Sequence, residues 1–158
     1  MRLDVGIGEM KVSASPQDII KTYALGSCVA VLAYDPDARV GGMVHIALPE
    51  SKVNPEKARK TPGYFADTGL PRLVDEMRKK GAHPKNIRIK LAGGASIMDE
   101  KKTFDIGRRN VVATKRFLWM NGLGVIKEDT GGKISRTVAL HIQDGEVVLS
   151  NAKNQWNL

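Results

Sequence analysis

The chain has 158 residues, a formal charge of +8 and one cysteine. Its length fits one domain, 1–158, with a sizeable core, and no apolar run or signal-like N-terminal segment suggests a membrane insertion or a leader. A lone cysteine excludes an internal disulfide framework and fits a reducing cytoplasm, while three histidines at no ligand-like spacing argue against zinc or another metal cofactor.

In chain order, Leu3 to Ser15 reads as two short strands separated by Gly6 and Gly8. Pro16 to Asp18 forms a turn, and Ile19 to Tyr23 returns as a strand. Gly26-Ser27 is a turn signal directly before Cys28. Val29 to Tyr34 is an apolar run too short for a helix, hence a buried strand. A second such run, Val40 to Leu48, opens on two glycines, closes on Pro49 and carries His45 in its middle. The short, turn-rich Asp35 to Arg39 makes these two strands neighbours, with Cys28 and His45 close in space.

Ser51 to Gly63 is polar, basic and proline-punctuated, which predicts a mobile surface loop. Leu70, Leu73, Val74 and Met77 recur at helical spacing, with Thr68 as cap, Pro71 near the first turn and Gly81 as stop. His83 beside Pro84 belongs to the surface. Ile87 to Leu91 alternates as a strand and runs into Ala92-Gly-Gly-Ala-Ser96, where the glycines suit a close backbone approach to a site rather than a phosphate loop. Met98 to Thr103 reads as a loop, and Asp105 caps a second helix that ends at Gly122. Val125 to Thr130 and Ile134 to Ile142 flank Gly131-Gly132 as a hairpin, Asp144-Gly145 turns into Glu146 to Ser150, and Asn151 to Leu158 is a loosely held tail. About eight strands with two main helices, not strictly alternating, define an α+β fold.

A lone cysteine is commonly a small buried hydrophobe, and a lone strand histidine a satisfied core residue. Cys28 and His45 together, on adjacent strands and flanked by glycines, also fit a nucleophile and its base, with the thiolate favoured by the imidazole. His141 is the rival base; the flanking glycines and nearness in sequence favour His45. The +8 charge suits a solvated surface, nucleic acid or an acidic protein. Aromatic residues make up only 5% and form no nucleic-acid signature, so an RNA-binding role rests on charge alone.

Leu25-Gly-Ser-Cys28, Gly41-Gly-Met-Val-His45 and Leu48-Pro49 closely resemble the chemoreceptor glutamine deamidases of bacterial chemotaxis, the CheD family. Ala92-Gly-Gly-Ala-Ser96, Ile106-Gly-Arg-Arg-Asn110 and Asp129-Thr-Gly-Gly132 continue the likeness in order and spacing. Ser135, before Arg136, replaces an expected glycine. The resemblance implies two stacked mixed sheets with helices outside, similar to the catalytic domain of deamidating toxins. It also implies a Cys28–His45–Thr22 triad, with Gly26, Ser27, Gly93 and Gly94 in the oxyanion and substrate-binding region. The implied activity is cofactor-free hydrolysis of receptor glutamine amides, with receptor methyl esters as a possible second substrate. Receptor cytoplasmic helices and a CheC-type phosphatase are the implied partners of a cytoplasmic protein that is monomeric alone. The alternative is a non-catalytic activator of that phosphatase.

Overall fold

A computed structural model describes residues 1–97 and 105–158; the loop expected at Met98 to Thr103 lies outside the described residues. One five-stranded sheet runs β1 (Arg2–Asp4), β3 (Ile19–Leu25), β8 (Arg136–His141), β9 (Val147–Ser150), β10 (Gln155–Asn157). The other runs β2 (Met10–Ser13), β5 (Val40–Ile46), β4 (Val29–Asp35), β6 (Arg88–Gly93), β7 (Val125–Thr130). Each sheet is mixed, with β1–β3 and β6–β7 as its parallel pair. Three helices accompany them: α1 (Pro55–Lys60), α2 (Ala66–Lys79) and α3 (Ile106–Met120).

Side-chain alternation assigns the layers. Ala30 and Leu32 of β4 and Met43 of β5 pack with Ile20, Val138 and Leu140 of the first sheet. The intervening Val29, Val31, Val44 and Ile46 pack against Leu70, Leu73 and Met77 of α2 and Leu118 of α3. The order of layers is therefore sheet, sheet, helices, an α+β architecture as expected. It also explains why every residue of β4 is buried: both of its faces are covered.

The paired β4 and β5 are antiparallel neighbours, with Ala30 opposite His45. Their turn is built by the buried Asp35, whose Oδ1 accepts from the Asp37 and Ala38 amides at 2.9 and 3.1 Å, while Oδ2 accepts from His83 N at 2.8 Å.

Several sequence expectations need correction. Residues 51–63 do not form a structureless loop but short 3-10 turns around α1. Asn54 caps α1 through Lys57 N, and Asp67 accepts from Ser51 N and Oγ at 2.9 and 2.7 Å, tying the segment to α2. Thr68 lies inside α2 and donates to Pro62 O at 2.6 Å instead of capping the helix. Asp105 is the residue before α3, in a left-handed conformation and without a side-chain cap bond. The Gly131-Gly132 hairpin is absent as well. α3 carries the chain over to make β7 a parallel neighbour of β6, so the two glycines lead between sheets rather than within a ladder. The tail is held: β10 pairs with β9, and Trp156 joins the inter-sheet core.

Arg136 ties the sheets together. It is 4% exposed and donates to Asp129 Oδ1 at 2.9 Å, Gly131 O at 3.0 Å and Gly93 O at 3.4 Å. Asp129 Oδ2 accepts from Trp156 Nε1 at 2.7 Å, so one carboxylate joins Arg136 to the C-terminal strand. Removing one partner of such a pair strands the other. Arg136→Met is expected to lower stability by about 3 kcal/mol, read from the denaturant midpoint at unchanged slope.

Candidate active site

Three elements deliver side chains to one end of the space between the sheets. On β4 the parity of Ala30 and Leu32 carries back to Cys28, which is half-buried against the inter-sheet core. On β5 the parity of Met43 carries to His45, and on β3 that of Ile20 carries to Thr22. His45 and Thr22 are 5% and 1% exposed. Cys28 stands diagonal to His45, two residues before His45's register partner Ala30. The register of β3 shifts between Thr22 and Leu25, and Ala24 takes a φ of 49°. This bulge ends the strand and bends the chain into the Gly26-Ser27 turn.

Thr22 Oγ1 donates its single proton to Val5 O at 2.7 Å. Its contact with His45 Nδ1 at 2.8 Å must therefore be an acceptance, with Nδ1 carrying the hydrogen. That fixes the neutral tautomer and leaves Nε2 with a lone pair. Nε2 is buried and has no hydrogen-bond partner among the described residues, which equips it to take a proton. It is the side chain of Thr22, not its carbonyl, that bonds the imidazole. His141 lies elsewhere: on β8 it alternates away from the inward-facing Val138 and Leu140.

The cysteine turn is braced from below. Gly94 N donates to Cys28 O and Ala95 N to Gly26 O, both at 2.8 Å. Gly93 has a φ of 110°, and a β-carbon on it would collide with Cys28 O. The Gly94 amide is thus engaged with the turn. The amides of Ser27 and Cys28 have no partner among the described residues.

Asn110, which the sequence offers only as the end of a motif, is brought to the cysteine turn by the fold. Its Nδ2 donates to Ser27 O and to Ala47 O, each at 2.9 Å, from a fully buried position on α3. Gly107, Asn110, Thr114 and Leu118 form the buried stripe of that helix. A polar amide on such a stripe is the signal in the sequence that points to it.

Burial pushes the Cys28 thiol up and the His45 imidazolium down to about 4. Both shifts disfavour charge and so favour thiol and neutral imidazole over an ion pair. Burial thus works against the thiolate that a neighbouring imidazole favours. A linked effect on stability follows. Above its ordinary value of 6.5, His45 is neutral folded and unfolded. Between 6.5 and about 4 the unfolded chain binds a proton that the folded chain refuses, so stability falls with falling pH by about 3 kcal/mol in full. Urea titrations across this window should show that loss, and His45→Ala should remove it.

By fold and site this is an α+β chain that holds a cysteine and a threonine-oriented histidine between two sheets. A profile described as CheD chemotactic sensory transduction matches residues 47–151. A probable chemoreceptor glutamine deamidase CheD from Syntrophotalea carbinolica is 48% identical over 159 residues, covering 99% of this chain and 98% of that protein. The chemoreceptor glutamine deamidase CheD of Thermotoga maritima is 44% identical over 149 residues, covering 94% and 91%. A probable chemoreceptor glutamine deamidase from Syntrophus aciditrophicus is also 44% identical, over 148 residues. The chain belongs to the CheD family.

Proposed function

We propose that this chain hydrolyses glutamine side-chain amides of chemoreceptors to glutamate, with Cys28 as nucleophile, His45 as general base and acid, and Thr22 as the residue that orients His45. The observation that carries this is the Thr22–His45 bond, which leaves Nε2 unprotonated on the inter-sheet face it shares with Cys28. Cys28 Sγ attacks the amide carbon while Nε2 accepts the thiol proton. The Ser27 and Cys28 amides stabilise the resulting oxyanion. His45 then gives its proton to the departing nitrogen, and ammonia leaves a glutamyl thioester. Water, deprotonated by Nε2, attacks that thioester. Cys28 departs, recovers the proton from His45, and glutamate remains. A glutamyl methyl ester reaches the same thioester with methanol as leaving group.

A groove whose charged lining is Glu50, Asp105, Arg108, Arg109 and Arg116, a net positive set, lies beside the segment that follows β5. Arg116 pairs with Glu50 at 3.4 Å, and Arg108 and Arg109 suit an acidic helix, such as a receptor segment carrying glutamate beside the target glutamine. No helix among the described residues is long and apolar enough to cross a membrane, which is compatible with the cytoplasmic location proposed here. Ammonia release from a receptor cytoplasmic fragment is expected to slow as salt is added, with free glutamine a poor substrate at any salt. Equal rates on the two substrates contradict helix recognition.

Family membership also supports association with a CheC-type phosphatase. We expect it to compete with receptor for the Cys28→Ala protein in a labelled-fragment binding assay. A stable ternary complex with unchanged receptor affinity contradicts a shared site.

A further inference from the structure

We propose that Asn110 is a positioning residue that fixes the distance between Cys28 and His45, an inference that rests on the nucleophile–base pair proposed above. The β4–β5 ladder ends at Val29 opposite Ile46. Beyond that pair the two chains part. Cys28 O turns to Gly94 N, while Ala47 N and Leu48 N turn to Tyr64 O at 2.9 and 3.0 Å. No ladder bond therefore holds the residue that carries the thiol to the strand that carries the imidazole.

Asn110 spans this gap. The two hydrogens of its Nδ2 reach Ser27 O, one residue before the nucleophile, and Ala47 O, two residues after the base. A primary amide nitrogen carries two hydrogens and can donate to two carbonyls at once without carrying a charge. Both acceptors are backbone, so the clamp sets the main chain from which each side chain projects. Its own base is stiff: α3 is fifteen residues long and anchored by Ala113 and Leu118 in the core.

Oδ1 of the same side chain is buried and has no partner among the described residues. An unpaired buried acceptor is unfavourable. The two donated bonds offset that cost, and both of them go to the backbone beside the proposed nucleophile and base. Thr22 sets the rotation and tautomer of the imidazole, and Asn110 sets how far it stands from the sulfur.

Iodoacetamide alkylation of Cys28 reads this distance without substrate. Four proteins form the cycle: wild type, His45→Ala, Asn110→Ala and the double variant. In wild type, loss of His45 should slow alkylation about a hundredfold, whereas in the Asn110→Ala background the same loss should change it by less than about twofold. Deamidation by Asn110→Ala should show a kcat lowered about a hundredfold at unchanged KM. Leu118→Ala, which destabilises α3 without touching the turn, should keep the full His45 dependence. Where Asn110→Ala does not fold, the near-isosteric Asn110→Leu takes its place, since it keeps the volume, adds no charge and loses both donors. A His45 effect that is equally large in both backgrounds overturns the clamp and leaves the catalytic pair standing. A His45 effect absent from wild type overturns the pair, and the clamp with it.

Discussion

His45→Ala is expected to lower deamidation by about four orders of magnitude or more, with the circular dichroism spectrum unchanged. The size follows from how many steps use one nitrogen. Nε2 removes the thiol proton, protonates the leaving ammonia and activates water, and each of these is blocked by the substitution. The need is greater here than at a site with a resting thiolate, because burial holds the Cys28 thiol up. Thr22→Ala should be milder. It frees the imidazole to rotate and to exchange tautomers but leaves the base in place, so the loss is expected at about tenfold to a hundredfold. Steady-state ammonia release ranks the three proteins. A His45→Ala enzyme near wild-type rate contradicts the assignment of the base.

Gly93→Ala carries the second large effect, and it acts on activity and stability together. The backbone at Gly93 has a φ of 110°, a region that side-chain-bearing residues avoid. The new methyl group would also point at Cys28 O, which already receives the Gly94 amide. Neither neighbour can rotate away, since both are backbone. Relief requires moving the cysteine turn, and with it the Ser27 and Cys28 amides. We expect activity to fall by at least about a hundredfold and stability by about 2 kcal/mol or more. Wild-type kinetics with an unchanged denaturant midpoint would show that the turn tolerates the change, against the bracing role given to Gly93. Gly122, where a β-carbon meets nothing, marks the contrast: Gly122→Ala should show only the strain of its positive φ.

The pairing of β4 with β5 was legible from two apolar runs around a turn whose first residue, Asp35, accepts the turn's own amides. The fold class followed from the uneven order of strands and helices. Thr22 was not visible in this way, because a threonine in a strand is ordinary; only the family resemblance singled it out. Asn110 stood within a quoted motif, but its two acceptors lie 83 and 63 residues away in the chain. The Gly131-Gly132 pair does turn the chain, yet a turn signal carries no information about which sheet the next strand joins. α1 escaped notice because its six residues, Pro55 to Lys60, bury only Ala58 and so leave no apolar period. The charge state of the pair depends on burial, which spacing along the chain does not report.

Mass spectrometry of a chemoreceptor cytoplasmic fragment, incubated with wild type and with Cys28→Ala, tests the central claim most directly. Wild type should convert particular glutamines to glutamates with matching release of ammonia, and Cys28→Ala should convert none. Conversion that persists in the Cys28→Ala protein, or a fragment left unmodified by wild type, would contradict it.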